Sequence, residues 1–178
     1  NAAIFSDAYG QGNAGNVAIQ AQNCHMDDAM ITSETAEAGD AGDLSLIVID
    51  TLQLVNGASI FSSPYGMGKA GSVTVNAGRL KLDGSCTGQF TGIASQADTG
   101  SIGDAGAVMV AVDELVEIKN RAQIFSSTFS LGNAGNLTID AGEFIIDGQG
   151  GDQFTGLASQ AGDDSQGDAG DITATVTG

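Results

Sequence analysis

The sequence predicts an all-β chain wound as a parallel β-helix, a β-solenoid of three short strands per coil and about five to six coils. Three observations carry that reading. A short Ala-Gly anchor recurs along the chain, apolar residues alternate with period two inside each unit, and equivalent positions of successive units hold the same residue type.

The anchor is Ala-Gly-x-apolar-x-apolar. It appears as AGNVAI, AGDLSL, AGSVTV, AGAVMV, AGNLTI and AGDITA, with glycines at Gly15, Gly42, Gly71, Gly106, Gly135 and Gly170. The gaps between them are 27, 29, 35, 29 and 35 residues, so from the second anchor onward a short unit alternates with a long one. Laying 42–105 over 106–169 needs no gap and matches 28 of 64 positions, including the twin stretches QFTGIASQA and QFTGLASQA. The chain, 1–178, is one solenoid segment whose larger repeat is a pair of coils.

Within a unit, LSLIV, LQLV and ASIFSS read as three strands in one coil, and VTVNA, RLKL and GIAS as three in the next. Stacked units give columns. One column is Val17, Leu44, Val73, Val108, Leu137 and Ile172; two residues on runs Ile19, Leu46, Val75, Val110, Ile139 and Ala174. Another holds Ile4, Ile31, Ile60, Ile93, Ile124 and Leu157. A twisted sandwich would not impose this repetition, whereas coils bonded about 4.8 Å apart along one axis bring each inward side chain onto its counterpart.

Composition narrows function by exclusion. Five Lys and Arg against 22 Asp and Glu leave a net charge of −17, which repels phosphate backbones and anionic lipid, so nucleic acid is a poor partner. No apolar run is long enough for a membrane span. With 27 Gly and a single Pro, the turns belong to Gly, Asn and Asp. The opening NAAIFS lacks an initiator Met and matches the internal GASIFS, which predicts a segment cut from a longer chain.

Four sets of residues are candidates for chemistry. Ser6, Ser33, Ser62, Ser95, Ser126 and Ser159 form an inward column two places after the isoleucines. A nucleophile among them would need a base, and the only histidine, His25, alternates onto the outer face, so a hydroxyl ladder at a corner is the favoured reading. Turn acids are the second set; should a Ca²⁺ be held, Asp40, Asp43, Asp104, Asp168 and Asp171 are the ligands. Asn or Lys69 separates the acids along the column Asn13, Asp40, Lys69, Asp104, Asn133 and Asp168, which favours solvated turns instead.

Aromatic residues recur on alternate coils, with Phe5, Phe61 and Phe125 beyond the isoleucines and Tyr9, Tyr65 and Phe129 in the turn that follows. They are the candidate ligand-binding residues, able to stack on sugars or a partner, and equally able to cover the coil under a folded loop. Phe90 and Phe154 sit in the long loops. Cys24 falls in a column with Leu52, Leu80, Val116 and Phe144, as a small buried hydrophobe does, while Cys86 belongs to a loop about 10 Å further along, beyond bridging distance unless that loop folds back.

The text NGASIFSSPYGMGKAGSVTVNAGRLKL, with its GxGNAGxVxIxA and LxLxxGAxIxSxS patterns, resembles the repeats of filamentous-haemagglutinin-type large exoproteins of two-partner secretion systems. The resemblance spans the chain and implies a right-handed parallel β-helix, secreted or at the cell surface, exported through an outer-membrane transporter and acting as an adhesin or fibre. It brings no catalytic residue and no cofactor.

Two functions follow from different classes. One is a structural or adhesive rod that binds polysaccharide or a partner surface, or assembles head to tail through its end strands. The other is a polysaccharide lyase or glycoside hydrolase, which the same scaffold can carry. An enzyme needs one convergent site; the five cations, Lys69, Arg79, Lys81, Lys119 and Arg121, are scattered, and the acid pair Asp163 and Asp164 is one of many. The rod without enzymatic activity is the expectation.

Overall fold

A computed structural model describes residues 2–84, 88–148, 153–163 and 165–178. Cys86 and Asp164 therefore lie outside the described residues. The described chain is all strand and turn. In order, its strands are β1 (Ala2–Phe5), β2 (Val17–Ala21), β3 (Cys24–Asp27), β4 (Ala29–Thr35), β5 (Leu44–Val55), β6 (Ser59–Pro64) and β7 (Val73–Asp83). There follow β8 (Gly92–Ala97), β9 (Val108–Lys119), β10 (Gln123–Thr128), β11 (Leu137–Asp147), β12 (Gly156–Ala161) and β13 (Ile172–Val176).

Every named pairing is parallel, and the strands stack into two sheets of a β-solenoid about five coils long. One sheet runs β1-β4-β6-β8-β10-β12; the other runs β13-β11-β9-β7-β5-β2, with β3 also on β5. The register is the one the sequence columns predict. Ile4 pairs with Ile31, Ile31 with Ile60, Ile60 with Ile93, Ile93 with Ile124 and Ile124 with Leu157. On the other sheet Val17, Leu44, Val73, Val108, Leu137 and Ile172 pair in turn, as do Cys24, Leu52, Leu80, Val116 and Phe144. Each shared column buries aliphatic surface against its own kind, and Leu46, Ile60, Val75, Ile93, Ile124 and Ile139 are wholly buried.

The three straight segments of a coil survive, but beyond the first coil two of them join. In the first coil β2 and β3 are separate; later, one long strand carries both through a register shift. The steps Val48 to Thr51 and Val112 to Leu115 hold one residue more than the facing Ala77 to Arg79 and Ala141 to Glu143. A bulge facing a glycine thus recurs with the two-coil period. A Cβ on Gly78 would sit 2.6 Å from the carbonyl oxygens of Ile49 and Asp50, and one on Gly142 2.6 Å from those of Asp113 and Glu114. At the next corner the backbone turns left-handed at Asp28, Asn56 and Asn120, residue types that tolerate it, and the Asn56 and Asn120 amides donate to Asp27 and Asp83.

Candidate functional site

The serine column is taken up by the backbone. The Ser33 hydroxyl donates to the Gly15 carbonyl (3.1 Å) and accepts from the Gly42 amide (2.8 Å). Ser62 bridges Gly42 and Gly71, Ser95 bridges Gly71 and Gly106, Ser126 bridges Gly106 and Gly135, and Ser159 bridges Gly135 and Gly170. From Ser33 onward each hydroxyl ties the anchor of its own coil to the anchor of the coil before, and Ser6 accepts from the Gly15 amide.

The turn acids do the same work from outside. Asp40 Oδ1 accepts from the Lys69 amide (2.8 Å), Asp104 Oδ1 from the Asn133 amide (2.9 Å) and Asn133 Oδ1 from the Asp168 amide (2.8 Å). Asp43 accepts from Ser72, and Asn136 from Asp171. The Asn133 amide, with Lys69 Nζ at 3.3 Å behind it, holds the Asp104 carboxyl below the usual aspartate value. Asp40, Asp43, Asp104, Asp168 and Asp171 are therefore strung along the axis with Asn, Lys, Ser or Ala between them. Among the described residues no group of three or more His, Cys, Asp and Glu is placed to hold a metal ion.

The aromatic candidates divide. Phe61, Tyr65 and Phe125 come together in an open-sided groove of about 460 Å³ on the outer face of β6, β8 and β10, whereas Phe5, Tyr9 and Phe129 lie elsewhere. Phe61 and Phe125 face outward because Ile60 and Ile124 face in, and both pair with Ala94, whose small side chain leaves the floor low between them. Phe90, brought over the sheet by the loop after β7, packs edge-on against Phe125 with centroids 5.1 Å apart. The covering role and the lining role thus fall to the same rings.

Sequence reasoning missed the polar half of this groove. Gln89, Gln96, Gln123 and Gln153 line it together with Arg121 and Ser63. Gln123 Nε2 donates to the Phe154 carbonyl (3.2 Å), and the Arg121 amide donates to Thr155 Oγ1 (2.8 Å), so the long loop of the next coil holds the far wall. The Ser63 hydroxyl is buried and has no hydrogen-bond partner among the described residues. The signal was present in the twin QFTG(I/L)ASQA stretches, whose outward positions Ala94 and Gln96 alternate with the inward Ile93 and Ser95.

Behind Tyr65 the surface turns acidic. Its hydroxyl lies 3.5 Å from Glu34 Oε1, Asp7 Oδ1 accepts from the Glu34 amide (3.1 Å), and the Tyr9 hydroxyl donates to Asp7 (3.3 Å). Partial burial, then the Asp7 charge, pushes the Glu34 carboxyl above its ordinary value; burial and Glu34 push the Tyr65 phenol up. No basic side chain is bonded to either acid among the described residues. Elsewhere the cations are paired or apart: Lys69 with Asp104, Arg79 with Glu114, and Lys119 with Glu117. Asp163 is exposed in a turn.

No family model, curated protein or solved structure matches this chain. Among the described residues no helix is long and apolar enough to cross a membrane.

Proposed function

We propose that this chain is a segment of an extracellular structural or adhesive rod, part of a secreted or surface-held exoprotein of the filamentous-haemagglutinin type. One observation carries the proposal: the serine hydroxyls from Ser33 to Ser159 bond coil to coil in an unbroken ladder, and Asn and Asp oxygens of the turns add shorter runs of the same bonding, interrupted at Lys69 and at Ser72 and Ala107. Such a molecule derives its stability along one axis and can be lengthened by repetition. Its partners are a polysaccharide or a partner surface along its flank, and a further coil or a second copy against its end strands. By resemblance, an outer-membrane transporter exports the parent protein.

The lyase or hydrolase reading lacks a comparable support. A lyase acting on uronates needs cationic groups around the substrate carboxylate, and the cations here are dispersed or paired with acids. The test is mechanical and chemical together. Pulled from its two ends, the chain is expected to resist and to unravel in steps of whole coils, and to turn over neither polygalacturonate nor neutral glycosides. Unravelling at negligible force, or turnover of any of these sugars, would overturn the proposal.

A further inference from the structure

In the groove over β6, β8 and β10 several aromatic rings, several side-chain amides and an unpaired buried hydroxyl converge. We infer that it is a binding site for a neutral glycan of hexopyranose units, gripped by Phe61, Phe125, Gln96 and Ser63. The inference rests on the adhesive reading above and names its ligand class.

The chemistry selects the class. A pyranose offers an apolar face of C–H groups and a rim of hydroxyls that both donate and accept. The rings of Phe61, Phe90 and Phe125 supply the apolar wall, and a glutamine amide supplies a donor and an acceptor side by side, the complement of neighbouring hydroxyls. Ser63 is 2% exposed and outward on β6, in the groove lining, with its Oγ unpaired among the described residues. A sugar hydroxyl reaching the floor would satisfy it. A volume of about 460 Å³ is that of a site for one or a few sugar rings.

Charge decides between neutral and anionic glycans. Arg121 is the only cation in the described lining, Glu34 stands just behind Tyr65, and the chain carries −17. A uronan or sulfated polymer would approach against that field. The open side of the groove suits an extended chain lying along the rod. The second QFTG stretch repeats the sequence Gln153, Phe154, Ala158 and Gln160 after Phe125, and its Gln153 already belongs to the far wall of this groove.

The test is calorimetric titration of the whole 178-residue chain with cellohexaose, laminarihexaose, maltohexaose and mannohexaose, and with polygalacturonate and heparin as anionic probes. At least one neutral hexaose is expected to saturate. Phe125→Ala and Gln96→Ala should each weaken it on the order of tenfold, while Phe5→Ala and Tyr9→Ala, outside the groove, leave it unchanged. Ser63→Ala keeps the readout clear of misfolding, since removing an unpaired hydroxyl should weaken binding without lowering the melting temperature. Binding of no neutral hexaose, preference for an anionic probe, or groove variants that bind as the parent would each overturn the inference. A chain that still resists force and turns nothing over would then lose this site and keep its rod, whereas turnover of a bound hexaose would defeat the rod reading itself.

Discussion

Replacing Ser95 with Ala tests whether the serine ladder binds coil to coil. The Ser95 hydroxyl is fully buried, donates to the Gly71 carbonyl at 2.9 Å and accepts from the Gly106 amide at 2.8 Å. Alanine fills the space of the Cβ but leaves a buried acceptor, the Gly71 carbonyl, and a part-buried donor, the Gly106 amide, without that partner. An unsatisfied buried group costs about 1–3 kcal/mol, so the pair should cost about 2–4 kcal/mol once some relaxation is allowed. At about 2–4 °C per kcal/mol for a chain of this size, the melting temperature should fall by about 5–15 °C. Urea unfolding gives the free energy, and amide exchange gives the location, because the Gly106 amide should lose protection before the mid-strand amides of β7 and β9. Ser6→Ala is the control. Its partner, the Gly15 amide, is exposed to water, so the loss should stay within about 0.5 kcal/mol. Equal effects at Ser95 and Ser6, or a Ser95 variant as stable as the parent, would refute the ladder as a source of cohesion.

Gly71→Ala should be destabilising by the upper part of the roughly 1–3 kcal/mol range for overpacking, because its Cβ would lie 2.1 Å from the Gly42 carbonyl oxygen of the preceding coil. Gly10→Ala, with nothing within 4 Å, should unfold as the parent does, and the two urea midpoints provide the check. For Glu34 the folded-state carboxyl titrates above its ordinary value, so between the unfolded and folded values the native state holds more protons than the unfolded one. Stability at this site therefore rises as pH falls through that window. Glu34→Gln should raise the melting temperature at neutral pH and flatten the dependence in the window just above the ordinary glutamate value; an unchanged pH profile would mean that Asp7 and burial do not act on Glu34 as described.

The inward face was legible in the sequence, and the outer face was not. In a parallel stack each residue meets its own counterpart one coil away, so a column such as Ile31, Ile60, Ile93 and Ile124 is written directly as a repeat, and the pairing only had to follow it. The same locality made the serine column visible as a column. That its hydroxyls reach the anchor glycines of two coils at once depends on how closely the backbones approach at the corner, with a Gly106 Cβ position 2.2 Å from the Gly71 oxygen, and spacing alone does not contain that distance. The joining of two strands into one was hidden likewise, because a bulge and a facing glycine take the place of a turn. The groove depended on tertiary structure most of all. Phe90 comes from a loop whose path no periodicity constrains, Gln123 and Arg121 come from the next coil, and Tyr65 meets Glu34 through a turn, so residues alike in the aligned sequence part company: Phe61 and Phe125 line a site, and Phe5, on an outermost strand of the described sheet, stays exposed. Periodic contacts were set by the sequence alone, and aperiodic ones by where the loops came to rest.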